Sequence, residues 1–237
     1  MKDLFGQAIF DYHFNNAPEN LITETNISEK DEMEVSYLFR ELEKMPLLEQ
    51  TALKRSHGNV LDVGCGAGSH SLALQNIYKL NVTAIDISSK AIETCKARGV
   101  KNTKVVAILD MEEDQQYDTI LLLMNGTGIF GTLIDVSKYL NKLKKLLHPK
   151  GQILIDSSDI VYMFDEDEDG GKWIPGAGYY GELRITISYK NQTEEEFPWL
   201  YIDYNTFQNI AIANGFSCEL ILEGEHYDYL AKLTFRK

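Results

Sequence analysis

Cysteine is scarce in these 237 residues: Cys65, Cys95 and Cys218 are the only three, and no CxxC pair occurs. That usage suits a reducing compartment rather than a disulfide-stapled scaffold. No run approaches the roughly 18 apolar residues of a membrane span. The first residues, MKDLFGQAIFDYHF, lack the basic-then-apolar order of a secretory signal, so a cytoplasmic protein with no membrane partner is expected. Positive charge is also short. Lys and Arg number 23 against 36 Asp and Glu, for a net charge of −13. Such a surface repels nucleic-acid backbones unless a local basic patch exists. The densest cluster, Lys142, Lys144 and Lys145, lies beside leucines on an expected helix and reads as a solvated face. A nucleic-acid substrate is therefore disfavoured. What is present is ordinary for a globular chain: 44% hydrophobic and 11% aromatic residues, at a length that fits one domain with additions.

The first 58 residues read as a helical cap. Phe5, Ala8, Ile9 and Tyr12 follow a helical period, the run SEKD at 28–31 resembles a capping box, and Val35, Leu38, Phe39 and Leu42 mark a second apolar face. Pro46 interrupts, and a shorter helix passes through Ala52 and Leu53. From residue 59 strands and helices alternate. Strands are expected at 59–63, 81–86, 104–108, 118–124 and 152–156, with helices starting near Ser69, Ser88 and Val136. The run DTILLLM at 118–124 is continuously apolar, as befits a central parallel strand buried on both faces. This rhythm implies an α/β fold with a doubly wound, mostly parallel sheet. Residues 159–203 break it with a β-rich insertion, including a hairpin of 183–190 with 197–202. A helix at about 204–214 and two final strands, 216–222 and 227–235, follow. The connection between those two is so short that they must be antiparallel, which gives seven strands ending in a hairpin. The division expected is 1–58 for the cap and 59–237 for the main domain.

Residues 60–70 read VLDVGCGAGSH. Glycines at 64, 66 and 68 follow a strand, and Asp86 ends the next strand about 20 residues later, a spacing that suits a nucleotide-like ligand. Ser69 stands where a dinucleotide fold would place its third small residue, so spacing alone leaves NAD open. Asp62 separates the two readings. It lies inside the strand, two residues before the first glycine, where NAD-binding strands are normally apolar. A carboxylate there can reach an ammonium group directly or through water. NAD has no amine at that place, whereas S-adenosylmethionine does.

With these residues the chain resembles the class I, Rossmann-like S-adenosylmethionine-dependent methyltransferases, as a small enzyme of bacterial type. Their first motif is D/E-x-G-x-G-x-G, and the terminal antiparallel hairpin is similar to theirs. The resemblance implies a cofactor site made of Asp62, Gly64, Cys65, Gly66 and Gly68, with Cys65 offering its backbone. Asp86 would bond the ribose hydroxyls and Ile87 would pack on adenine. Asp110 and Met111 would hold the adenine amine and ring edge, and Asn125 would lie where the cofactor's methionine part meets the substrate. His70, opening the helix after the glycine loop, could face the cofactor carboxylate. The implied activity is transfer of a methyl group by in-line displacement, with no metal required.

The acceptor is less legible. After the fourth strand the chain reads LMNGTG and not the NPPY of enzymes that methylate amino groups of DNA bases or glutamine. Aromatics in the cap and the insertion suggest a lid over a small, partly apolar acceptor, with Tyr12, His13, Arg40, Trp173 and Tyr180 as candidate contacts. Arg40 could clamp a carboxylate of cofactor or substrate, or pair with nearby glutamates. The run DEDEDG at 165–170 copies the start of a calcium loop, but Gly176 stands where the twelfth-position glutamate belongs, so no metal is expected. Three functions stay open: a small-molecule methyltransferase, an NAD-dependent oxidoreductase, and a non-catalytic S-adenosylmethionine-binding module.

Overall fold

The computed structural model describes residues 2–164, 171–172, 174, 176 and 178–236. Trp173 and the acidic run 165–170 lie outside the described residues. The central sheet has the expected seven strands. Five are parallel: β3 (Asn59–Val63), β4 (Asn81–Asp86), β5 (Asn102–Val105), β6 (Tyr117–Leu122) and β7 (Leu147–Ser158). The final hairpin, β11 (Phe216–Glu223) with β12 (Asp228–Phe235), adds antiparallel to β7, so the order is β11-β12-β7-β6-β3-β4-β5. Helices α2 (Leu47–Arg55), α3 (Ser69–Asn76), α4 (Ser89–Ala97), α5 (Val136–Leu146) and α6 (Tyr204–Ala213) surround it. Among the described residues no helix is long and apolar enough to cross a membrane.

The strict alternation of a strand sorts its apolar residues between two cores. Leu61, Ile120, Leu122, Ile153, Ile155 and Ala231 join the cluster under α5 and α6. Their sequence neighbours Val60, Leu121, Leu154 and Leu230 join the cluster with Leu48, Ala52, Leu53 and Leu74 of α2 and α3. The apolar run of β6 is thus explained by burial on both faces. Val136, Leu140, Leu143 and Leu146 put one stripe of α5 on the first core. Three of the four lysines of α5 find partners: Lys142 and Lys145 pair with Glu113, and Lys144 Nζ donates to the Asn214 carbonyl.

The N-terminal segment departs from the expected helical cap. Helix α1 (Leu4–Phe14) and α2 are present, but between them lies a hairpin of β1 (Leu21–Thr25) and β2 (Ser28–Met33). The SEKD run is strand, not a helix start. Ser28 Oγ bonds Thr25 Oγ1 at 2.8 Å across the turn rather than capping a helix. The reason is remote in sequence: β1 pairs with β8 (Glu182–Tyr189) of the insertion. With β9 (Gln192–Thr193) and β10 (Phe197–Leu200), these strands form a second, antiparallel sheet. The face carried by Val35, Leu38 and Phe39 shrinks to a single 3-10 turn, Val35–Phe39, because the chain turns extended at Arg40. Helix α1 lies against α4 and the glycine loop, where Ile9 and Leu38 pack with Ala67 and Ala91.

Leu121→Ala removes a fully buried side chain at the centre of the sheet. It is expected to lower unfolding free energy by about 2–5 kcal/mol in urea titration. A loss near that of an exposed-site control such as Lys138→Ala would contradict the two-faced core.

Candidate functional site

The carboxyl ends of β3, β4, β6 and β7 meet at one edge, the place where open α/β sheets bind ligands. After β3 the chain turns back at once. The N–H groups of Gly64 and Cys65 both donate to the Ile85 carbonyl, at 2.9 and 3.0 Å. Cys65 therefore spends its amide inside the protein. Its thiol lies 3.7 Å from that of Cys95, and burial with that contact pushes it up. Gly66 has φ of +52°, and a Cβ there would meet nothing closer than Ile9 Cδ1 at 4.0 Å, so the loop leaves open space at this point. Gly68, with φ of +83°, is needed for the opposite reason: a Cβ would stand 2.8 Å from Cys95 Sγ.

Asp86 closes the loop from the next strand. Its Oδ2 accepts the Gly66 N–H and its Oδ1 the Ser88 N–H, both at 2.9 Å. Each oxygen keeps a second lone pair for a ligand. Burial pushes the Asp86 carboxyl up, against the two amide bonds. Beside it Ile87 is 64% exposed, an apolar face with no protein to cover it. Asp62 is buried, and its Oδ2 accepts from Ser71 Oγ at 2.5 Å. The Ser71 N–H also bonds this carboxyl, which burial nevertheless pushes up. Asp110 is exposed in the short turn after β5, whereas the Met111 side chain is buried in the core and its carbonyl accepts from Lys142.

Behind the glycine loop stands a buried charge triad. Glu49 of α2 accepts from Arg40 with both oxygens and bonds His70 Nε2, on the first turn of α3, at 2.6 Å. Arg40 also donates to the Tyr37 carbonyl at 2.6 Å and stacks on that ring, while its buried Nε–H has no partner among the described residues. Burial pulls His70 down, but the Glu49 hydrogen bond and the charges of Asp62 and Glu49 outweigh it, so His70 is raised. Burial raises Glu49, yet its bonds to His70 and Arg40 leave it lowered.

On the other side of the edge, Asp156 lies near the carboxyl end of β7, one residue past its last pairing with β6. Its Oδ2 accepts the Met124 N–H at 3.0 Å and its Oδ1 the Gly126 N–H at 2.8 Å. Burial pushes it up to about 6 despite these bonds. The turn it holds is unusual. Met124 and Asn125 have φ of +65° and +59°, adjacent non-glycine residues in the left-handed region. Such positions cost about 1–2 kcal/mol each. The Asn125 side chain is committed, its Nδ2 donating to the Leu200 carbonyl at 3.3 Å and its Oδ1 accepting from Ser157 Oγ at 3.1 Å. Leu200 and Ile202 are buried in the core, whereas Tyr201 between them is only partly buried and feels the charges of Tyr162 and Asp156. Burial and those two neighbours raise its phenol.

The structure thus gathers Asp62, the three glycines, His70, Asp86, Ile87 and Asn125 along one edge. Tyr180 is nearby in the insertion, its hydroxyl bonded to Asp159 at 2.7 Å. Tyr12 and His13 of α1 lie around the Phe39 ring, which packs on the cluster of Ile9, Leu38 and Ala67, with Arg98 over that ring. Glu49, Asp156 and Tyr201 escaped the sequence reading. Asp156 had a signal, since it follows an apolar run as Asp86 does. Glu49 and Tyr201 had none, because only folding buries them.

The sequence matches the family model described as "Methyltransferase domain" over residues 54–201. A solved S-adenosylmethionine-dependent methyltransferase from Bacteroides fragilis, in complex with S-adenosyl-L-homocysteine, is 45% identical. It covers 100% of this chain and 96% of its own, at a TM-score of 0.92. A methyltransferase of the same description from Clostridium acetobutylicum is 15% identical, covering 79% and 87% at a TM-score of 0.57. One described as putative from Listeria monocytogenes is 20% identical, covering 86% and 100% at 0.56. These two share the fold. Among curated proteins none matches.

The triad has a pH signature. Raised His70 stabilises the fold below its unfolded value of 6.5, and this is lost as pH rises through the folded one. Lowered Glu49 stabilises above 4.5, and this is lost as pH falls through its folded value. The stability gap between the native protein and Glu49→Gln is therefore expected to be widest between those two pH values, at about 3–5 kcal/mol. It should narrow on either side. A gap constant from pH 4 to 9 in denaturant titrations would refute the coupling.

Proposed function

The chain belongs to the S-adenosylmethionine-dependent methyltransferases, and from that premise we propose that it methylates a small-molecule acceptor at the carboxyl edge of its central sheet. The cofactor supplies an activated methyl group on a sulfonium, open to in-line displacement. The chain's own work is to bind, orient and exclude water. The observation that carries the site assignment is Asp86, whose two oxygens each hold one backbone amide and keep one lone pair for a vicinal diol. Gly66 gives room for close approach, and Ile87 offers an apolar face for the adenine ring. Asp110 and the Met111 backbone would border that ring. Asp62, a buried carboxylate two residues before the first glycine, would suit the ammonium group. Arg40 Nε, unpartnered among the described residues, and His70 would face the cofactor carboxylate.

Residues 1–58 and the insertion at about 159–203 act together as a cap on the domain 59–237, since β1 and β8 are partners in one sheet. The acceptor would lie between Asn125, Tyr201 and Tyr180. Tyr201 is raised and stays a neutral phenol at physiological pH, so it would hydrogen-bond the acceptor rather than take its proton. Neither the NAD-dependent reading nor the non-catalytic one gains support from any observation above.

Calorimetric titration with S-adenosylhomocysteine tests the site. The native protein is expected to bind, and Asp86→Ala to lose about tenfold or more in affinity, as for a charge-assisted hydrogen bond. Equal affinity of the two would remove Asp86 from the ribose. Tyr201→Phe should leave this affinity unchanged.

A further inference from the structure

We infer that Asp156 is a positioning residue for cofactor binding: its carboxylate holds the Met124–Asn125 turn in its left-handed form, so that the turn forms the methionine-side wall of the site. The inference rests on the reading above that Asn125 faces the cofactor.

The turn cannot hold itself by conformational preference. Methionine disfavours positive φ, and two such residues in succession are a place where the backbone would relax if released. The backbone N–H groups of such a turn can gather around an anion. Asp156 is the anion. It receives Met124 and Gly126 by direct bonds, and the Asn125 N–H lies close enough to help hold its charge. The turn also transmits its position. Met124 packs with Ile9, Leu38, Ala67 and Ala91, which belong to α1, the cap, the glycine loop and α4. Gly126 lies so close to β6 that a Cβ would stand 2.6 Å from Leu122 Cβ, so the turn has little freedom to slide as a unit.

A competing role is general base, which a buried carboxyl of raised affinity for protons would suit. The geometry opposes it, because the Asp156 carboxyl is almost fully enclosed, whereas Asp86, bonded to amides in the same way, is only partly buried. The symmetry of the edge favours positioning. Asp86 of β4 holds the loop of its neighbour β3, and Asp156 of β7 holds the turn of its neighbour β6.

The test is S-adenosylhomocysteine affinity, by calorimetry, in four proteins: native, Asp156→Asn, Met124→Gly, and the double variant. Asp156→Asn keeps the size but leaves one N–H facing a donor, and affinity should fall about tenfold or more. Glycine at 124 removes the penalty for positive φ, so the turn should persist with less help. In the Met124→Gly background the Asp156→Asn exchange should cost less than about threefold, a coupling that a merely structural role would not produce. Native-like affinity in Asp156→Asn, or equal losses in both backgrounds, would overturn the inference. Should Asp156→Asn alone fail to fold, the two glycine variants decide: a gap of about threefold or less supports it, and a larger one overturns it. Failure of the native protein to bind would instead strike at the reading of the site and overturn this inference with it.

Discussion

A carboxylate near the end of one parallel strand, accepting main-chain amides from the turn of the next, is the constraint on which this edge depends. It occurs twice. Asp86 reaches Gly66, 20 positions earlier, and Asp156 reaches Gly126, 30 positions earlier. In both cases the turn contains backbone in the left-handed region, which by itself would be free to rearrange. The strand is the rigid partner, because its residues are buried on both faces of the sheet. Rigidity therefore passes from the core through two carboxylates into the loops at this edge. The chain can have loops with open space around Gly66 and still present them in one conformation.

The N-terminal segment is tied to this edge by charge as well as by packing. Asp3 caps α1 at the Gly6 N–H and accepts from Ser88, the residue whose own N–H bonds Asp86. Arg40, Glu49 and His70 link the cap, α2 and α3 in one buried network. Farther out, Asp11 accepts from Tyr189 and Lys190 of the insertion. Two segments more than 150 residues apart in sequence are thus joined in one sheet. A buried network of this kind is weak evidence for stability, since desolvation opposes the ion pairing. Its value here is registry. Each bond is specific in direction, whereas the apolar contacts of Ile9 and Leu38 would tolerate a shifted cap.

The central domain was legible because its elements are locally consistent. The periods of β6 and α5, the glycines of the loop and the acid ending β4 each point to the same architecture. Boundaries moved by a few residues: the third strand of the domain is Asn102–Val105 rather than 104–108. The N-terminal hairpin was not legible. LITET and SEKDEM alternate only weakly, and the strand that pairs with them lies in the insertion. Local reading favoured a capping box because Ser28 and Asp31 have the right spacing, and nothing nearby contradicts it. The same limit applies to the site. Asp62 and Asp86 announce themselves inside apolar strands. Glu49 looks like any exposed helical glutamate until Arg40 and His70 fold onto it, and Tyr201 is picked out only by the fold, which sets it beside Tyr162 and Asp156.

The edge also carries an electrostatic imbalance that explains several of these features together. Asp62, Asp86 and Asp156 are each raised by burial, and within this group only Asp62 is helped by a nearby side-chain cation, His70. Their charges are held mostly by amides and hydroxyls, which soften the desolvation without cancelling it. A protein optimised for stability alone would replace such groups with neutral ones, and sites that sacrifice stability in this way are commonly functional. The family's cofactor brings a sulfonium and an ammonium, positive charges matched to a cleft of carboxylates. Binding then relieves a cost already present in the free protein. The lone pairs that Asp86 retains and the orphaned Arg40 Nε fit the same pattern: at the proposed site they are groups that a bound cofactor would complete.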